Sequence, residues 1–93
     1  RATVVGMSNP VATFTQHNHI TEAFRAGTAT YAVADIAREL VELYRADITG
    51  EQAIAAAIEL DAQGITGPQV HYVRTGDQLR ARVAAAVDGA KAA

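Results

Sequence analysis

The fold is decided by the stretch from Ile48 to Gly76, which reads ITGEQAIAAAIELDAQGITGPQVHYVRTG. Its start predicts a capping box, because the Thr49 hydroxyl can accept from the backbone N–H of Gln52 while the Gln52 side chain reaches back to Thr49. The following residues contain five alanines and no helix breaker as far as Gln63. Gly64 then suits the left-handed conformation that ends many helices. A helix is therefore expected from Thr49 to Gln63.

One side of this helix is expected to face the core. The predicted apolar face consists of Ile54, Ala57 and Ile58, widened by Ala53, Ala56 and Leu60. Small side chains on such a face let a neighbouring helix approach closely, so this helix is expected to lie at the centre of the domain. We accordingly expect Ile58→Asp to unfold the protein.

The segment after the Gly67-Pro68 break is compatible with two structures. Val70–Val73 is β-branched and aromatic, which suits a short strand. The same residues also suit a short helix with Pro68 in its first turn, because proline is well tolerated there. Periodicity does not decide between helix and strand for so short a run. Thr75–Gln78 has the spacing of a second capping box and is expected to start the last helix.

Two further long helices follow from hydrophobic periodicity. The first runs from Thr30 to about Ala46, with an apolar stripe of Val33, Ile36, Ala37, Leu40, Val41 and Tyr44. The second runs from Gly76 to about Ala90, with a stripe of Leu79, Val83, Ala86, Val87 and Ala90. A short helix, Glu22–Ala26, is expected after Thr21 as its cap. The predicted fold is all-α, a small bundle of three main helices and one short helix.

Length and composition indicate a single small domain. The chain has 93 residues, which corresponds to one domain, and its lack of cysteine excludes disulfides and thiolate sites. The net charge is −2, but residues 31–62 carry seven acids against Arg38 and Arg45, whereas residues 63–93 carry four bases against Asp77 and Asp88. This polarity is too weak to identify nucleic acid as a partner.

The N-terminal residues 1–15 are expected to form an extended, flexible arm, and residues 16–93 the helical domain. Such an arm can dock on a partner or a second subunit, but a loose terminus is the simpler interpretation. The predicted interface residues are Val11, Phe14, Tyr31 and Tyr72. Oligomerisation is a common supplement to a core of this size, so we expect a homo-oligomer or a protein partner.

The segment Gly64–Gly76, which reads GITGPQVHYVRTG, resembles the turn and recognition helix of MerR-like and excisionase-like helix-turn-helix proteins. In that pattern a Gly-hydrophobic-Thr turn precedes a helix with a buried valine and an exposed aromatic-basic face. The resemblance implies a DNA-binding site in which a short helix enters the major groove. The residues it implies are Gln69, His71 and Arg74 facing the groove, with Thr66, Arg80 and Arg82 on phosphates.

No motif indicates an enzyme, a cofactor or a metal. His17 and His19, with Glu22 nearby, have the spacing for one side of a metal site, but zinc needs at least three suitable ligands and His71 is far away in sequence. A phosphate-binding glycine loop and a nucleophile elbow are both missing. We therefore predict no catalytic residues, no metal and no cofactor.

The sequence is best interpreted as a non-catalytic, helical protein-interaction or assembly module. The alternative is a small helix-turn-helix-like DNA-binding protein that uses Gly64–Arg74, so nucleic acid stays open as a partner. No apolar run approaches the roughly 18 residues of a membrane span. A cytoplasmic protein with no membrane contact is therefore expected.

Overall fold

The computed structural model describes residues 10–93, with side chains from residue 13 onward. In this range it forms α1 (Pro10–Arg25), α2 (Tyr31–Tyr44), a 3-10 turn (Arg45–Asp47), α3 (Gly50–Ala62), α4 (Gly67–His71) and α5 (Gln78–Ala92). No strand occurs in residues 10–93, so the predicted all-α class is confirmed. The bundle has four long helices and one short one, because α1 is longer than the sequence indicated.

Helix α1 corrects two expectations about the N-terminal region. From residue 10 onward the expected extended arm is wrong, since the chain is helical from Pro10 to Arg25, and residues 1–9 lie outside the described range. The short helix predicted at Glu22–Ala26 is the last part of this longer helix. The buried side of α1 was hard to recognise because one of its positions is polar: Gln16 and Ile20 are both buried, four residues apart.

Gln16 ties α1 to the connection between α2 and α3. Its Nε2 donates to the carbonyl oxygen of Arg45 at 2.7 Å and also to that of Ile48. Arg45 has a φ of 51°, in the left-handed region that residues other than glycine rarely adopt. The amide of Gln16 therefore holds a tight turn as well as its own helix.

Helix α2 lies at the centre of the bundle and follows its predicted pattern. Thr30 caps it by accepting from the backbone N–H of Val33 at 3.1 Å. Its buried side chains are Val33, Ala34, Ile36, Ala37, Leu40 and Val41. The helix contacts α1, α3 and α4, and the 3-10 turn replaces the expected last turn up to Ala46.

Helix α3 begins as predicted but is rotated from its expected orientation. The Thr49–Gln52 capping box is present, with nitrogen-to-oxygen distances of 2.9 and 3.0 Å. Gly64 has a φ of +82°, as expected for the end of the helix. The buried side chains are Ala53, Ala56, Ala57 and Leu60, whereas Ile58 is 51% exposed. The predicted burial of Ile58 is therefore wrong, and the basis for expecting Ile58→Asp to unfold the protein is removed, because α2 and α5 pack against the side formed by the alanines and Leu60.

The segment after Gly67 is a helix, so the strand alternative is excluded. Thr66 and Gln69 form a capping box that the sequence analysis missed, in which the Thr66 N–H donates to Gln69 Oε1 at 2.8 Å. Val70 is fully buried under this helix. Helix α4 lies so close to α2 that a Cβ on Gly67 would clash with the Asp35 carboxylate.

The last helix starts later than predicted. Asp77 is the residue before α5, and its carboxylate accepts from the backbone N–H of Arg74 at 2.8 Å. The capping box expected at Thr75–Gln78 is therefore wrong, since Asp77 closes the preceding turn. The predicted apolar stripe is confirmed: Val83, Ala86 and Val87 are buried, and Leu79 and Ala90 pack against the core.

Candidate interaction surface

All five aromatic side chains of the protein lie outside the fully buried core. The buried hydrophobic residues are aliphatic throughout, from Ile20 to Val87. Phe14 and Tyr31 are each 70% exposed, Tyr72 is 75% exposed and Phe24 is 43% exposed, while Tyr44 is half-buried. Aromatic rings carry the largest apolar surfaces available to a protein, so leaving four of them in water calls for an explanation beyond folding.

Three of these rings lie along the seam between α1 and α2. Reading along α1, His17 Nε2 lies 2.7 Å from Glu42 Oε2, and the Thr21 hydroxyl accepts from Arg38 at 3.4 Å. At the end of the seam, the Phe24 and Tyr31 rings meet edge to face with centroids 6.4 Å apart. Because the partners on α2 descend in number as those on α1 ascend, the two helices are antiparallel.

Phe14 belongs to the same side of α1. Phe14, His17, Thr21 and Phe24 follow one another at three- and four-residue spacing, which places them on one side of a helix. We call this surface the outer face. It is defined by the side chains of Phe14, His17, Thr21, Phe24, Tyr31, Arg38 and Glu42. Its two ends are aromatic and its middle is polar.

A second group of side chains lies on the other side of α2, next to α4. His71 Nδ1 is 2.9 Å from Glu39 Oε1, and the rings of His71 and Tyr72 meet edge to face at 4.5 Å. Asp35 lies against Gly67 at the start of α4. This edge therefore combines one exposed ring, Tyr72, with the carboxylates of Asp35 and Glu39.

The structure does not gather the six implied DNA-binding residues on one free surface. Thr66 and Gln69 bond each other in the capping box of a five-residue helix, and His71 bonds Glu39. On α5, the Arg82 guanidinium donates to Gln63 Oε1 at 2.9 and 3.1 Å. Arg74 lies in the connection after α4, and Arg80 lies near Tyr44.

The acidic surroundings of α4 weigh against phosphate binding there. Glu39 holds His71, and Asp35 lies at the start of the same helix. Carboxylates at this position repel the phosphate backbone that any DNA-binding surface must approach. The helix-turn-helix resemblance stays a prediction, which binding to a DNA duplex at low salt would test.

The structure places the predicted interface residues on two different surfaces. Phe14, Tyr31 and Tyr72 are exposed, with the first two on the outer face and Tyr72 across α2. The side chain of Val11 lies outside the described residues. Phe24 was missed, although its spacing from Phe14 on a continuous helix would have placed it on the same side.

The described residues also bear on metal binding and on membrane crossing. No group of three or more His, Asp or Glu side chains there has the geometry to hold a metal ion. None of the helices in this range is long and apolar enough to cross a membrane.

Tyr44 gives a pH prediction. Burial raises the pKa of the Tyr44 phenol above 10, the nearby Arg80 lowers it in part, and Asp88 raises it. Because the fold favours the neutral phenol, its contribution to stability is present below pH 10 and is lost as the pH rises above 10. We therefore expect the free energy of unfolding, measured with urea, to fall less between pH 9 and pH 11 in Tyr44→Phe than in the wild type. An equal decrease in both proteins would contradict the attribution of this pH dependence to the buried Tyr44 phenol.

The chain matches no family model, no curated protein and no solved structure. The outer face is therefore interpreted from its own exposure, contacts and charges.

Proposed function

We propose that this protein is a non-catalytic interaction module that assembles by binding a second copy of itself through the outer face. The observation that supports the proposal best is that four of the five aromatic side chains are exposed, while the fully buried core is aliphatic. Protein interfaces are enriched in Phe and Tyr, and truncating such residues often removes much of the binding energy. A surface that displays three rings along one helix pair has the composition of an interface.

The exposed rings are large enough to matter for binding. A buried aromatic side chain removes roughly 150–250 Å² from water. With the exposed fractions of Phe14, Phe24 and Tyr31, one copy still displays roughly 300–450 Å² of ring surface. Two copies would bury roughly twice that area, which is most of the apolar part of a standard interface of about 1,600 Å².

The outer face is also rigid enough to bind without much loss of entropy. The hydrogen bond from Arg38 to Thr21 and the contact between His17 and Glu42 already join the two helices. The Phe24 and Tyr31 rings restrict each other by their edge-to-face contact. Side chains that are ordered before binding lose less conformational entropy when the complex forms.

The proposal predicts that removing one ring weakens self-association. Phe14→Ser and Tyr31→Ser should each raise the dissociation constant of the dimer by about tenfold or more, because each takes a large apolar group out of the contact. Sedimentation equilibrium measures this constant.

Ile58→Ser is the matched control for these variants. Ile58 is also a large exposed apolar residue, but it lies on the side of α3 opposite its buried alanines and so away from α2. It should leave the dissociation constant within about threefold of the wild type. A dimer that weakens equally in all three variants would show that binding is not located at the outer face.

A further inference from the structure

We propose that two copies pair about a two-fold axis that crosses the middle of the outer face, between the His17–Glu42 and Thr21–Arg38 contacts. This inference rests on the proposed self-association and adds which side chains meet. It follows from the order in which aromatic, acidic and basic groups occur along the seam.

The groups of the outer face have a defined order. From Phe14 to Phe24 the axis of α1 rises about 15 Å, at about 1.5 Å per residue. Glu42 lies beside His17, about one third of the way along, and Arg38 lies beside Thr21, about two thirds of the way along. The order is therefore aromatic, acidic, basic, aromatic.

A two-fold axis through the centre reverses this order in the second copy. In a two-fold interface the same patch is used twice, so a residue at one end meets the residue at the other end. Phe14 then lies over the Phe24–Tyr31 pair of the second copy, and Glu42 lies opposite its Arg38. Aromatic groups meet aromatic groups, and each acid meets a base, twice in every dimer.

Other arrangements lack this match. A two-fold axis running along the seam would keep each group at its own level, so that the two Arg38 side chains lie at one level and the two Glu42 side chains at another, which brings like charges together. Pairing through the α4 side of α2 would bring the carboxylates of Asp35 and Glu39 of the two copies close together. The outer face, in contrast, carries an acid and a base at positions that the two-fold axis brings together.

The two charged groups also keep bonding capacity for a partner. Arg38 carries five N–H donors, and the hydrogen bond that the structure gives it is the one to Thr21 at 3.4 Å. Glu42 is half-exposed and meets His17 through Oε2 alone. A bidentate pair between Arg38 and the Glu42 of a second copy is therefore compatible with the contacts already present.

The test is a charge exchange between two single variants. Arg38→Glu alone and Glu42→Arg alone should each raise the dissociation constant of the homodimer by about tenfold or more, because both contacts across the axis then join like charges. An equimolar mixture should sediment as a heterodimer with nearly wild-type affinity, since each acidic copy then faces a basic copy. The double variant R38E/E42R should also recover the homodimer.

The controls carry the same charge changes elsewhere. Glu59 and Lys91 are exposed residues of α3 and α5 and lie outside the outer face. Glu59→Arg and Lys91→Glu should therefore leave the dissociation constant unchanged, both alone and as a mixture. Circular dichroism of every variant establishes that the helices are retained before affinities are compared.

The outcomes separate this pairing from the proposed function. If the wild type dimerises but the single variants and their mixture behave like the wild type, the two-fold pairing is overturned and self-association stands through another surface. If the wild type stays monomeric at every concentration, both proposals fail. Recovery in the mixture and in R38E/E42R, after loss in each single variant, supports the pairing.

Discussion

Leu60→Ala should lower the free energy of unfolding by about 2–5 kcal/mol. Leu60 is completely buried in α3, at the level where this helix packs between α2 and α5. Its neighbours on the buried side are Ala53, Ala56 and Ala57, whose short side chains cannot move far enough to fill the space that a leucine leaves. Urea unfolding followed by circular dichroism measures the loss directly.

Ile58→Ala is the matched control for this prediction. It removes an aliphatic side chain from the same helix, two residues away, but Ile58 is half-exposed and alanine is the better helix former. The free energy of unfolding should therefore change by less than about 1 kcal/mol. If Ile58→Ala costs as much as Leu60→Ala, the orientation of α3 described above is incorrect.

Gly50→Ala should lower the free energy of unfolding by about 1–3 kcal/mol. An alanine Cβ at this position would lie 2.8 Å from His19 Cβ and 3.0 Å from His19 Cγ. The Cβ of His19 is fixed to the backbone of α1 and cannot rotate away, so the two helices must separate. Urea unfolding of the variant measures the cost, and a stability within about 0.5 kcal/mol of the wild type would contradict this close packing.

Gly89→Ala provides the matched control for that substitution. Gly89 lies within α5, and beyond its chain neighbours and the local helix backbone nothing lies within 4 Å of the position that its Cβ would take. Alanine at a free helical position favours folding by about 0.5–1 kcal/mol over glycine. The same chemical change should therefore stabilise the protein at Gly89 and destabilise it at Gly50.

The parts of the fold that could be predicted depend on local chemistry. The Thr49–Gln52 capping box, the turn at Gly64 and the stripe of α2 each involve residues within a few positions of one another. Such features are set by the backbone groups left unpaired at helix ends and by the 3.6-residue period, which the sequence displays directly.

The rest of the fold depends on contacts between distant residues. The core side of α1 includes Gln16, whose burial makes sense only once the carbonyls of Arg45 and Ile48 lie beside it, 29 and 32 residues away. Helix α3 is apolar around much of its circumference, so the sequence alone does not determine which side faces the core. The neighbouring helices pack closely against its alanine side, and Ile58 is therefore exposed to solvent.

The candidate surface was predicted only in part, for the same reason. Phe14, Tyr31 and Tyr72 were named as interface candidates from the sequence, and all three are exposed. The alignment of α1 with α2 was not expected, since the contacts of His17 with Glu42 and of Thr21 with Arg38 span 25 and 17 residues. The outer face exists only through that alignment.

Self-association can be measured by sedimentation velocity of the wild type over a concentration series from about 5 to about 500 µM. We expect the sedimentation coefficient to rise from that of a 9.8 kDa monomer towards that of a dimer. Tyr31→Ser should shift this rise to higher concentration. A single monomeric species across the whole series would contradict self-association through the outer face.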